Sequence, residues 1–139
     1  MKVGMAKRGD TRLGYEHDRD VRFVAGLREA MRPDALLMTD RGQSLAWDVS
    51  VATRPTPAFA GHGLTCMEEP LEPTDVEGFG CQRQQVTCLI GTGEREFTLR
   101  GCRRVIEGGT IDLIGVDSGR AGWITGGLKA IELVEAAAV

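Results

Sequence analysis

The sequence predicts an α/β protein built on a parallel sheet or barrel, and three regularities carry that prediction. Four short runs are apolar on both faces, segments with helical periodicity separate them, and an acidic residue follows each run. Strands covered on both sides of a parallel sheet read in this way, without the alternation of a half-exposed sheet.

Taken in order, the strand candidates are ALLMT at 35–39, LTCM at 64–67, VTCLI at 86–90 and TIDLIGV at 110–116. Helical spacing puts Val21, Val24, Leu27 and Met31 on one face, then Phe97, Cys102, Val105 and Ile106, then Ile124, Leu128, Ile131 and Val134. A further helix is expected within 45–60, but broken or shortened, because Pro55 and Pro57 fall inside it and each costs about 3 kcal/mol in a helix interior. Thr74-Asp75-Val76-Glu77 has the spacing of a capping box, and Gly108-Gly109 follows the helix that begins near Phe97.

What ends each strand is the informative regularity. Asp40 follows the first run, Glu68 the second, Glu94 comes shortly after the third and Asp117 follows the fourth, at spacings of 28, 26 and 23 residues. Each spacing is about one strand-helix unit. Consecutive right-handed units put all their strand carboxyl ends on one side of the sheet, so the four acids converge at one mouth. An Asp before a helix is often only its N-cap, and for any one position that is the commoner role. Glu is a poor cap, however, and two of the four are Glu. As a set they favour a site.

Composition narrows the classes. The chain has 139 residues, 42% hydrophobic and 27% charged, with a net charge of −3, as in an ordinary single globular domain. Basic residues are scattered among acids and aromatics are few, which argues against nucleic-acid binding. No apolar run reaches membrane-span length and no leader opens the sequence, so a cytoplasmic protein with no membrane partner is expected. Cys66, Cys81, Cys88 and Cys102 are too widely spaced for a CxxC motif and read as free thiols, Cys66 and Cys88 as buried ones. Gly91-Thr92-Gly93 fits neither a P-loop nor a dinucleotide fingerprint and more simply lets the backbone turn toward Glu94. Arg8-Gly9-Asp10 calls for no special function.

Crowded carboxylates cannot all stay ionised in a partly desolvated mouth without a compensating cation. No His or Cys stands with them, so the oxygen-only set favours Mg²⁺ ahead of Mn²⁺ or Ca²⁺ and disfavours zinc.

In MKVG (1–4), LREAMRPDALLMTDRGQSL (27–45), GLTCMEEPLEPTD (63–75), GTGERE (91–96) and DLIGVDSGRAGWITG (112–126), the chain resembles the mandelate racemase and muconate lactonizing enzyme branch of the enolase superfamily. The resemblance implies a partial (β/α)₈ TIM-type barrel covering roughly strands two to six. It implies that Asp40, Glu68 and Glu94 are the three ligands of one Mg²⁺. Of the pair Glu68-Glu69 the first is then the ligand. Strand alternation turns Glu69 the other way, toward a neighbouring lysine or arginine. Lys2 matches the second lysine of the KxK motif, a general base, and Asp117 matches an aspartate that orients a histidine base on the following strand. The sequence departs from the family at Gly42, where asparagine is usual, and at Cys66, where a bulky aromatic is common.

The activity implied is removal of a proton α to a carboxylate through an enediolate, whose charge a coordinated Mg²⁺ stabilises. Acid-sugar (aldonate) dehydratase is the leading expectation, with racemase or epimerase and cycloisomerase as alternatives. The partner expected is a small carboxylate, a sugar acid or 2-hydroxy acid, bound by a homo-oligomer at full length. Residues 1–139 are then read as a fragment of the catalytic barrel domain, lacking the capping domain and the last strands. An incomplete barrel exposes strand edges, and an inactive truncated fragment is the contrasting expectation.

Overall fold

The computed structural model describes residues 1–5, 13–42 and 56–137. Among these residues the elements in order are β1 (Lys2–Gly4), α1 (His17–Ala30), β2 (Met38–Asp40), α2 (Thr56–Gly61), β3 (Cys66–Glu68), α3 (Val76–Arg83), β4 (Leu89–Thr92), α4 (Leu99–Glu107), β5 (Leu113–Ile114) and α5 (Trp123–Ala137). The five strands form one parallel sheet in sequence order. Neighbouring strands are always sequential, as expected from chained right-handed units.

Register places Gly4, Asp40, Glu68, Gly91 and Leu113 in a single row across the sheet. One residue earlier, Val3, Thr39, Met67 and Ile90 form the row that alternation turns to the opposite face. That face is the core: Thr39, Met67 and Ile90 are fully buried, and Val24, Leu37, Phe59, Leu71, Phe79 and Val105 join the cluster. Helices therefore cover one face, and the strand-end acids stand on the other.

The observed strands begin two to three residues later than the apolar runs. Leu36 is exposed, and ladder pairing starts only at Met38 in β2 and at Leu89 in β4. What precedes β2 and β3 is held by a staple: Arg28 at the end of α1 donates to the carbonyls of Ala35 (2.9 Å), His62 (3.2 Å) and Gly63 (3.0 Å). A second staple closes β4 to β5, where Asp112 accepts from Arg83 Nε and from the Ile90 N–H, both at 2.9 Å.

Among the helices, α1 keeps its expected face, with Val24 buried and Val21, Leu27 and Met31 packed on the core. The helix α4 buries Cys102, Val105 and Ile106, but Phe97 lies before its Thr98 cap and is exposed. Asp75, not Thr74, caps α3, accepting from the Gly78 N–H at 2.9 Å. The cap lies one residue further on than the capping-box spacing suggests, so the donor satisfied is the Gly78 N–H in place of that of Glu77. Pro57 sits in the first turn of α2, where its missing N–H costs nothing. Pro55 and the rest of 45–55 lie outside the described residues, as does Arg8-Gly9-Asp10.

In α5 the expected apolar face is not the buried one. Gly126 and Ala130 are buried, whereas Ile124, Leu128 and Ile131 are exposed. Gly126 lies against the Ala121 carbonyl, where a Cβ would not fit, α5 packs beside α4, and Ile131 and Val134 line a cavity of about 290 Å³ with Ile114 and Val116. All four cysteines are free, with Cys66, Cys88 and Cys102 buried and Cys81 exposed.

Candidate active site

Three of the five candidate residues meet at the carboxyl ends of β1 to β3. Lys2 Nζ lies 2.5 Å from Glu68 Oε2 and 3.4 Å from Asp40 Oδ2. Asp40 and Glu68 are direct register partners, so parallel pairing alone brings their side chains onto one face. Lys2 is two rows lower on β1, opposite Met38 and so on the same face as the acids, and its long stem reaches up to both. The other oxygen of Asp40, Oδ1, accepts from the Gly42 N–H at 3.1 Å.

The bond to Glu68 is the main cause of a raised Lys2 pKa, outweighing the lowering by partial burial, with the charges of Glu68 and Asp40 adding to it. A lysine poised to accept a proton needs the reverse. As it stands, Lys2 holds its proton.

Glu94 stands two residues beyond β4, with its side chain 40% exposed and its Oε1 3.9 Å from Arg95 Nε. Gly115 separates it from Glu68: a Cβ built on Gly115 would lie 3.6 Å from Glu68 Oε1 and 3.9 Å from Glu94 Cβ. The backbone of Glu94 is fixed by Arg120 Nη1, which donates to its carbonyl at 2.8 Å. Gly93 makes the turn, with φ of 116° and a built Cβ only 2.6 Å from Ile114 Cγ1, so no side chain fits there. This is the turning role expected for the glycine.

Asp117 follows β5 and is part of a turn. Its Oδ1 accepts from the N–H groups of Gly119 (2.8 Å) and Arg120 (3.3 Å), and its Oδ2 lies 3.5 Å from Arg120 Nε. Among the described residues, no three His, Cys, Asp or Glu side chains converge closely enough to hold a metal ion. The expected convergence is therefore partial: Asp40 and Glu68 share Lys2, while Glu94 and Asp117 lean on Arg95 and Arg120.

Glu68 and Glu94 are not helix caps. Asp75 caps α3 and Thr98 caps α4, so Glu68 and Glu94 are left for other work. Lys2 itself tests the fit to a cation, since its ammonium occupies the ground between Asp40 and Glu68. The hard oxygen set suits Mg²⁺.

Glu69 takes the other path from its neighbour. It is 2% exposed, its Oε2 accepts from Arg95 Nε at 3.1 Å, and its backbone is left-handed with φ of 46°. The pairing expected with a nearby base is present, produced by the turn at Glu69 as well as by strand alternation. Burial raises the Glu69 pKa, with Arg95 opposing the rise. Arg95 and Arg120 were not picked out from sequence. For Arg95 a signal existed: Glu69 to Arg95 repeats the 26-residue spacing of Glu68 to Glu94. Arg41, next to Asp40, is also buried, stacked over the Phe59 ring at 5.1 Å, and desolvation lowers its pKa to about 9 against the opposing charge of Asp20.

Fold and site together define a run of parallel β/α units that present acids at their strand carboxyl ends. The chain belongs to the enolase C-terminal domain-like family, which matches residues 1–139. It is 39% identical over 112 residues to L-rhamnonate dehydratase of Saccharopolyspora erythraea, covering 79% of this chain and 28% of that protein. It is 27% identical over 128 residues to the hydrophobic dipeptide epimerase of Enterococcus faecalis, covering 92% of this chain and 36% of that protein. Its structure matches that of L-talarate dehydratase from Polaromonas, solved with Mg and L-glucarate, with a TM-score of 0.86 and 27% identity over 100% of this chain and 36% of that one. The chain thus spans about a third of the length of these proteins. Its five parallel strands are part of a (β/α)₈ barrel, as the sequence led us to expect. Among the described residues, no helix is long and apolar enough to cross a membrane.

Proposed function

We propose that this chain is the ligand-bearing part of a Mg²⁺-dependent acid-sugar dehydratase that removes the proton α to its substrate's carboxylate. The observation that carries the reading is the Lys2–Glu68–Asp40 cluster, a cation held by two register-paired acids at the carboxyl ends of parallel strands. Active sites of β/α barrels occupy this end. The similarity to L-rhamnonate dehydratase supports the acid-sugar class.

In this reading Asp40, Glu68 and Glu94 hold the ion. Mg²⁺ held there would supply positive charge against the developing enediolate. Lys2, reaching the mouth from β1, is the group that would take the α-proton. Asp117, at the end of β5, orients a second proton-transfer group. The β-hydroxyl leaves as water on taking up a proton, and the enol that remains tautomerises by protonation at the β-carbon to a 2-keto acid.

The test is a panel of acid sugars offered to the protein encoded by the complete reading frame, with 2-keto acid formation as the readout. Racemisation or epimerisation is the second reading, favoured by the similarity to the dipeptide epimerase. Incorporation of deuterium from D₂O at the α-carbon without keto-acid product would select it. Neither product nor exchange with any member of the panel counts against both.

A further inference from the structure

The acids Glu68 and Glu94 are each followed by a residue that binds the other's follower. Glu69 Oε2 accepts from Arg95 Nε at 3.1 Å, an ion pair that ties the end of β3 to the loop after β4. We propose that Glu69 and Arg95 are positioning residues that fix Glu68 and Glu94 relative to each other as ligands of a divalent cation. The inference rests on the metal-binding reading above and adds residues that do not touch the ion.

Three features of Glu69 support it. First, its backbone is left-handed, with φ of 46°, which is costly for a residue with a long side chain. Glycine would end the strand there without that cost and without a buried acid. What glutamate adds is the bond to Arg95. Second, its carboxylate is buried, and among the described residues Oε1 has no hydrogen-bond partner, so the group is held chiefly through Oε2. Third, the Glu69 N–H donates to the Gly91 carbonyl at 2.8 Å, so backbone and side chain of one residue both grip the β4 unit.

The consequence falls on the gap between the two ligands. Glu68 Oε1 and Glu94 Cβ both lie near Gly115, and nothing larger than glycine's hydrogen intervenes from that side. Arg120 holds the Glu94 carbonyl, and Arg95 anchors the next residue to Glu69. With the ion pair cut, the Arg120 bond and the Gly93 turn would still hold the Glu94 backbone, but the loop would lose its side-chain tie to the end of β3. Groups that orient metal ligands from behind typically alter affinity by about 10- to 100-fold when removed.

The experiment is calorimetric titration of Mg²⁺, without substrate, into the protein encoded by the complete reading frame. Variants are Arg95→Met, Arg95→Lys, Glu69→Gln, the double variant Glu69→Gln/Arg95→Met, and Glu68→Gln. Metal-free melting temperatures show which variants fold. Arg95→Met should weaken Mg²⁺ binding about 10- to 100-fold. Arg95→Lys, which keeps one cationic donor, should recover most of that loss. The double variant should bind no more weakly than the worse single one, because the pair acts as a unit. If Arg95→Met does not fold, Glu69→Gln, which keeps the side-chain volume, carries the test and should weaken binding about tenfold. Binding within twofold of the parent in every folded Glu69 and Arg95 variant, with binding lost in Glu68→Gln, would overturn the inference and leave the metal reading intact. Unchanged binding in Glu68→Gln would overturn the metal reading and the inference together.

Discussion

The ammonium of Lys2 lies 2.5 Å from Glu68 Oε2, so a protein cation occupies ground that the proposed Mg²⁺ needs. The two compete for the same carboxylates. Lys2→Met should therefore leave Mg²⁺ affinity unchanged or tighter while slowing α-proton exchange by about 10²- to 10⁴-fold, the usual worth of a general base. Calorimetry and deuterium exchange on the same preparation separate the effects. A variant that exchanges normally, or binds Mg²⁺ more than tenfold worse, refutes this division of labour.

Gly42 replaces an asparagine expected from the family resemblance, and its φ is 54° with nothing among the described residues within 4 Å of a built Cβ. Asparagine tolerates the left-handed region better than other side chains. Gly42→Asn should accordingly fold with a loss of less than about 1 kcal/mol. Its effect should appear in substrate KM and not in Mg²⁺ affinity. A large drop in melting temperature would show that the turn demands glycine.

Arg28 gathers three carbonyls from the segments leading into β2 and β3. Arg28→Ala would leave partly buried acceptors without donors, and with charge-assisted bonds contributing about 1.5–3 kcal/mol each before solvent screening, we expect a net loss of about 2–4 kcal/mol. Arg28→Lys should recover only part, since one ammonium cannot span the fork. Denaturant midpoints measure both, and equal stability of all three proteins contradicts the staple.

The thiols should sort by burial. Burial is the first cause pushing the Cys66 thiol up to about 12 and Cys88 to about 11, and Cys102 is raised for the same reason, while Cys81 is exposed. At pH 8 the buried Cys66 and Cys88 thiolates are on the order of 10⁻³ or less of the total. Iodoacetamide should label Cys81 within minutes and the others only after denaturation, as read by peptide mass spectrometry. Early labelling of Cys66 would mean that its strand opens readily.

Much of this architecture was legible because its cause is local. Runs apolar on both faces have few alternatives to a covered parallel strand, and the strand-end acids at one-unit intervals fixed which side the site lies on. Val24, Cys102, Val105 and Ile106 were recognisable as core from spacing alone. The misses have equally physical origins. Thr74 lost the α3 cap to Asp75 because cap geometry depends on where the chain enters the helix. The α5 stripe of Ile124, Leu128 and Ile131 has helical period yet stays exposed, since periodicity identifies a face but not its cover. At the site, sequence singled out Lys2, Asp40 and Glu68, which the fold brings together. The supporting roles of Arg95 and Arg120 depend on where loops place long side chains, which no period encodes.

The row Gly4, Asp40, Glu68, Gly91 and Leu113 draws one residue from each of five successive units. Asp40 and Glu68 belong to different units, and the loop bearing Glu94 to a third, so an ion bridging them would bind the docked sheet and not the separated pieces. Such an ion acts as a thermodynamic brace: at a concentration 100 times its Kd it would add about 2.7 kcal/mol to folding. Chelation should then loosen the units' docking along with silencing the chemistry.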